Sequence, residues 1–457
     1  MGLSLFSKRK RPLHLGAYPM EKIKRVEKTT TLIIDDEVKR TPARANGFIR
    51  ARFGDFGEKA QTEVKRFVVK SPVSAAMRRV IETMVPIQEG EVAPEKAPIP
   101  DDPKKLSEHI KALSYYLDSD LTGICEAKEY CWYSHDLDGN EIKVRHKYAI
   151  VLVIDQGFHT MDSASGDDWI SSAQSFRAYM RGSEIANVIA DYIRRLGYDA
   201  RAHTNSDSLV QHVPLSLLAG LGEMSRIGEM ILNPFIGPRL KTAVVTTDMP
   251  LAIDKPIDFG LQDFCNKCRK CARECPCGAI PYGDKIMYNG YETWKPDSEG
   301  CTKYRTTNPG GSACGRCMKM CPWNKEGLMQ HRLAMWMAIK LPFTRRFLIW
   351  LDDKWKYGER NPDNRWWFDL ETTGLSVLDG TSVKGKTGVP LKTNERDLSL
   401  DKKPPKGNRF TVYTPDVWPK FDDKETVRTD RKDGQARYRA AEKPEDAKRR
   451  VAEKAGD

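Results

Sequence analysis

Nine of the 11 cysteines in this 457-residue chain fall between Cys265 and Cys321, and eight of them form two runs with a common ending. The first reads Cys265-x2-Cys268-x2-Cys271-x3-Cys275-Pro276, and the second Cys301-x12-Cys314-x2-Cys317-x3-Cys321-Pro322. In this spacing three closely placed thiolates grip one cubane, and the fourth, just before a proline, reaches the neighbouring cluster. Crossing the fourth ligands assigns Cys265, Cys268, Cys271 and Cys321 to one [4Fe–4S] cluster. The other takes Cys301, Cys314, Cys317 and Cys275. Structural zinc is the rival, but zinc sites usually read as separated Cys-x2-Cys pairs without the repeated x3-Pro ending.

Clusters carry electrons one at a time, so this module must feed a redox centre in the chain or in a partner. The cysteine block is a small part of the chain, and the remainder is read as building that acceptor and its cavity. Cys125, Cys131 and Cys277 stand outside the pattern and are read as small buried apolar residues without a role.

The 75 Lys and Arg against 63 Asp and Glu give a net charge of +12. That sign suits nucleic acid, an anionic surface or an acidic partner, and selects none of them. No uncharged apolar run approaches the ~18 residues of a membrane span. Even "HRLAMWMAIKLPFTRRFLIWL" is broken by Arg332, Lys340, Arg345 and Arg346 and reads as an amphipathic helix. The basic N-terminus has neither an apolar leader nor a twin-arginine signal, which leads to the expectation of a cytoplasmic protein. In a reducing compartment, clustered cysteines favour metal ligation over disulfides.

Five segments are expected. Residues 1–110 read as a basic arm and linker, because Pro94, Pro98, Pro100 and Pro103 break any regular element before a structured part beginning near Leu106. Residues 111–258 read as an α/β layer domain: "KYAIVLVID" and "KTAVVTTDM" are buried strands. Between them Ile185, Val188, Ile189, Tyr192, Ile193 and Leu196 recur at helical spacing up to Gly197. A second helix, interrupted by glycines, is expected over 215–232. The iron–sulfur module spans 259–330, a Trp-rich helical section 331–380, and 381–457 a charged tail, read as solvated or an exposed helix.

At this point the sequence resembles the reductive dehalogenases, corrinoid enzymes that remove halide from organohalides with two [4Fe–4S] clusters. The likeness covers roughly residues 140–370. It is carried by "RRLGYDARAHTNSDS", by "LLAGLGEMSRIGEM", by "TTDMPLAIDKPIDFG" running into "FCNKCRKCARECP", and by the second cysteine run. The resemblance implies an α+β fold, in which base-off cobalamin sits in a nitroreductase-like α/β layer domain beside a ferredoxin-like two-cluster module. Without a leader or a fused reductase, the chain resembles the cytoplasmic, catabolic branch. That implies a small organohalide substrate and an external electron donor such as ferredoxin or flavodoxin with its reductase. Neither a membrane span nor a nucleic-acid partner is expected.

By position in the family pattern, the proton donor falls on Tyr179 in "FRAYMRG" and its cationic partner on Lys241 in "PRLKTAVVTTDMPL". A phenol of pKa near 10 is a weak acid, and an adjacent ammonium stabilises the phenolate as the proton leaves. Arg305 in "CTKYRTTNPGG" matches an arginine facing substrate, and Asn205 in "HTNSD" a position near the cavity. For each residue a blander reading stands beside the functional one. Tyr179 could be packing, Lys241 a solvated charge, Arg305 a cation beside a cluster, and Asn205 a turn former. The implied reaction is removal of halide from an ortho-halogenated phenol or hydroxybenzoate by Co(I) cobalamin fed by the clusters. Two alternatives remain: an epoxyqueuosine reductase-like corrinoid enzyme acting on tRNA, which the +12 charge would suit, and a non-catalytic iron–sulfur electron-transfer protein.

Overall fold

The computed structural model describes residues 11–164, 168–308, 311–326, 329–373, 383–385 and 418–456. Its centre is a four-stranded sheet in the order Leu121–Glu126, Tyr148–Asp155, Leu240–Thr247, Ala200–His203, with every neighbouring pair antiparallel. Alternation along the strands feeds two cores. Ile150, Leu152, Ile154, Ala243 and Val245 face the helix Ile170–Arg195. Val151, Val153 and Val244 face the opposite way, into a core that runs from Trp132 to Phe264, Trp323 and Ile349. That second core joins the sheet layer to the cysteine module.

The strands expected at 147–155 and 241–249 form as Tyr148–Asp155 and Leu240–Thr247, and the helical repeat before Gly197 forms Ile170–Arg195. Gly197 closes that helix at φ +85°, and a Cβ there would lie 2.5 Å from the Glu95 carbonyl oxygen. The proline-spaced linker, which has no regular element of its own, is bonded over this end of the helix. Ala93 N–H donates to the Arg194 carbonyl and Ala97 N–H to that of Leu196.

Elsewhere the structure departs from the expectations. Ahead of Leu106 lie three helices, Gly47–Arg52, Glu58–Phe67 and Pro72–Thr83. Each buries only a narrow stripe, such as Ala60, Val64 and Phe67, so the charged remainder masks the pattern in composition. The arm before them pairs with distant segments: Lys24–Arg25 with Ile257–Asp258, while Ile33 bridges Tyr291. The helix expected over 215–232 stops at Leu218, because Gly220 (φ +64°) and Gly228 (φ +73°) take left-handed backbone. Two short strands, Glu223–Met224 and Ile231–Leu232, follow and pair with each other.

The amphipathic segment 331–351 is two helices, Met329–Lys340 and Arg345–Lys354. Pro342 lacks the N–H a continuous helix needs and pushes Leu341 to φ −124°, ψ 78°. The end of the chain also packs, in helices Arg431–Ala440 and Pro444–Gly456. Before them Val427 N–H bonds to Asp55, itself held between Arg44 and Arg50 at 3.0 Å. Composition hides this anchoring because ion pairs rather than apolar burial make it. Most of 381–417 lies outside the described residues. Among those described, no helix is long and apolar enough to cross a membrane.

Candidate active site

Where the sheet ends near Asp155, two sequence-singled residues meet. Lys241 stands opposite Ile154 in the antiparallel register and points toward the helix Ile170–Arg195. Its Nζ lies 5.1 Å from the centroid of the Tyr179 ring, which packs edge-on against Phe176 at 6.1 Å. One turn beyond Tyr179, Gly182 brings helix and strand together: a Cβ there would lie 3.3 Å from the Ala243 Cβ. Both Tyr179 and Lys241 are half-buried.

The neighbouring cation is already committed. Arg239, buried at 1% exposure, makes a bidentate pair with Asp155 at 2.8 and 2.9 Å. Lys241 has no carboxylate partner among the described residues, so its charge is available to the phenol and to a bound anion. A cavity of about 1190 Å³ opens beside this end of the sheet, with Tyr18, Tyr115, Arg181, Arg239, Phe264 and Trp323 in its wall. Arg181, two residues after Tyr179, and Arg239, two before Lys241, belong to that wall, whereas Tyr179 and Lys241 themselves do not line it.

The eight cysteines gather as the crossed assignment requires. Cys265, Cys268, Cys271 and Cys321 line one small cavity, although Cys321 lies some fifty residues further along the chain than the other three. Burial pushes the thiols of Cys265 and Cys268 up to about 11 and 12, and burial together with the nearness of Cys265 and Cys268 raises Cys321 well above its usual range. In the other set, burial raises Cys317, and neighbouring Cys314, Cys301 and Cys275 add to it. Such desolvated, mutually repelling thiolates need cations among them. No three of His, Cys, Asp or Glu among the described residues converge on one ion position. A cubane spreads its thiolates over four corners, whereas a single zinc draws them to about 2.3 Å. The donor set therefore fits two clusters.

Cys125 and Cys131 are buried in the core, as read. Cys277 is half-buried, its sulfur 3.7 Å from that of Cys275. Arg305 sits one turn after Cys301 on the helix Ser298–Thr307, where its charge favours the Cys301 thiolate. Its guanidinium is 4.8 Å from the Phe48 ring centroid and 5.9 Å from that of Phe67, and its Nε is buried without a hydrogen-bond partner among the described residues. Asn205, read as lying near a cavity, is solvent-exposed in the loop that Thr204 N–H closes onto the Asp207 carbonyl. The turn-forming alternative matches that place.

Two residues that the sequence did not single out also line the first cysteine cavity: Arg226 and Trp323. The signals in the sequence are positional: Trp323 directly follows Cys321-Pro322, and Arg226 lies within "LLAGLGEMSRIGEM".

Residues 264–325 match the family described as the 4Fe-4S dicluster domain. The tetrachloroethene reductive dehalogenase of Desulfitobacterium hafniense is 36% identical over 231 residues, 48% of this chain and 40% of that protein. The epoxyqueuosine reductase of Escherichia coli is 26% identical over 169 residues, 32% and 41% of the two chains. Among solved structures, the catabolic reductive dehalogenase NpRdhA is 50% identical with a TM-score of 0.90, over 98% of this chain and 63% of that one. Its complex with 3-bromo-4-hydroxybenzoic acid matches equally, over 98% and 64%. The chain thus spans under two thirds of these solved relatives and about two fifths of the curated dehalogenases. Over nearly its whole length it has the fold of the solved dehalogenases, an α+β layer domain beside a two-cluster module.

Proposed function

We propose that this chain is a cobalamin-dependent reductive dehalogenase of a halogenated aromatic, acting in the cytoplasm with an external one-electron donor such as ferredoxin or flavodoxin. The observation that carries this reading is the Lys241–Tyr179 contact at 5.1 Å, set at the sheet end beside a large cavity in a fold shared with dehalogenases. The overall change consumes two electrons and one proton, turning carbon–halogen into carbon–hydrogen and releasing halide.

The cavity of about 1190 Å³ exceeds a drug-sized pocket and is where we assign the corrinoid, which Arg181 and Arg239 in its wall would help to hold. When bound, cobalamin supplies a low-valent cobalt able to take the halogen. Tyr179 Oη holds the proton delivered to the substrate carbon. Lys241 stabilises the phenolate that Tyr179 becomes, and draws the anionic oxygen of the substrate. Arg305 supplies a second cation, and the flanking Phe48 and Phe67 rings suit an aromatic substrate. Two cations around an apolar site favour a phenol or hydroxybenzoate with halogen ortho to the hydroxyl. The solved relative bound to 3-bromo-4-hydroxybenzoic acid supports that class.

The test is a side-by-side assay. Protein reconstituted anaerobically with iron, sulfide and cobalamin is offered a bromo-hydroxybenzoate and an epoxyqueuosine-containing tRNA, with a chemical reductant. Bromide release from the aromatic is the expected result. Conversion of the tRNA alone would overturn the reading, and electron uptake with neither product would reduce the chain to a carrier.

A further inference from the structure

Arg226 is 1% exposed and spends two of its three nitrogens on the protein. Nε donates to the Cys265 carbonyl at 2.9 Å, and Nη1 to the carbonyls of Pro281 and Gly283 at 2.9 and 2.7 Å. The guanidinium carbon also lies 4.6 Å from the Trp294 ring centroid, which holds the side chain in place. Nη2 is buried and has no hydrogen-bond partner among the described residues. Trp323 presents the same situation. Its ring is packed edge-on between Phe259 and Phe264 at 5.2 and 5.3 Å, and its Nε1 is buried without an acceptor among the described residues.

A buried donor left unpaired costs on the order of 1–3 kcal/mol, and folded proteins pair most such donors with protein, water or a bound group. Both residues line the cavity walled by Cys265, Cys268, Cys271 and Cys321. Sulfur acceptors of a cluster in that cavity would satisfy both donors. A cluster gains negative charge on reduction, so N–H donors and a fixed guanidinium favour its reduced form and raise its potential.

We propose that Arg226 Nη2 and Trp323 Nε1 donate hydrogen bonds to sulfurs of the Cys265, Cys268, Cys271, Cys321 cluster and set its reduction potential. These are positioning residues for electron flow, acting through the cluster rather than on substrate. The assignment rests on the two-cluster reading.

The experiment uses the full chain, reconstituted anaerobically, in a redox titration followed by EPR. Iron analysis of the wild type comes first, and about eight irons per chain establishes the clusters independently of their tuning. Trp323→Phe keeps the ring between Phe259 and Phe264 and removes only the donor. Arg226→Gln removes the charge and the Nη2 donor. Each is expected to make reduction of one cluster at least tenfold less favourable, a negative shift of about 59 mV for one electron, while the second potential stays in place. Full iron in Trp323→Phe with both potentials unmoved would overturn the proposal, whatever Arg226→Gln does. Iron well short of eight in the wild type would instead overturn the cluster reading on which it stands.

Discussion

Lys241 Nζ stands 5.1 Å from the centre of the Tyr179 ring, across a helix–strand contact that Gly182 makes close. The two residues are 62 positions apart, and nothing local holds them together. Tyr179→Phe keeps the ring against Phe176 and removes the proton. Dehalogenation is expected to fall by about 10²- to 10⁴-fold, with iron and corrinoid content unchanged. Turnover within a factor of two of wild type would show that the donor lies elsewhere.

Lys241→Met tests a double role. If the ammonium both binds the substrate oxygen and stabilises the Tyr179 phenolate, KM for ortho-halogenated phenols rises and kcat falls. Steady-state kinetics on a bromophenol and on a chlorinated ethene separate the two roles, because the neutral ethene loses only the kcat component. Unchanged phenol kinetics would remove Lys241 from the site.

The crossed ligand sets make a sharp stoichiometric prediction. Cys321→Ala is expected to lose about half of some eight irons per chain, since it opens one cubane and spares the other. Cys277→Ala, despite the 3.7 Å approach of its sulfur to Cys275, is expected to keep the full complement. Anaerobic iron and sulfide analysis reads both. Stoichiometric zinc with little iron would contradict the whole assignment.

Stability should depend on pH through His212. Burial pushes its imidazole down to about 4, only partly offset by the hydrogen bond to the Thr242 carbonyl. Nδ1 lies 3.0 Å from Thr242 Oγ1 and Nε2 3.2 Å from Ser208 Oγ. The folded state keeps this histidine neutral while the unfolded chain protonates near pH 6.5, so stability is lost as pH falls from about 6.5 toward 4. At pH 5 the loss is about 2 kcal/mol. Urea midpoints at pH 7.5 and pH 5 for wild type and His212→Asn should diverge at the higher pH and converge at the lower.

Spacing alone was enough to propose the cysteine ligand sets, because a cubane demands closely placed thiolates and the chain supplies that spacing twice. Short β-branched apolar runs also placed the two central strands, which are buried on both faces, and helical spacing placed the helix Ile170–Arg195. Tyr179 and Lys241 were named only through resemblance, and the register that sets Lys241 opposite Ile154 is a tertiary fact. The same holds for the helices ahead of Leu106 and for the tail, which a hydrogen bond to Asp55 and ion pairs distant in sequence, such as Arg431 with Asp297 and Arg450 with Glu37, hold in place. Asn205 shows the limit from the other side, since a residue's neighbours in the sequence do not say whether it faces a cavity or solvent. Arg226 and Trp323 left almost no sequence signal. An unpaired buried donor is defined by what surrounds it, and only folding brings those surroundings together.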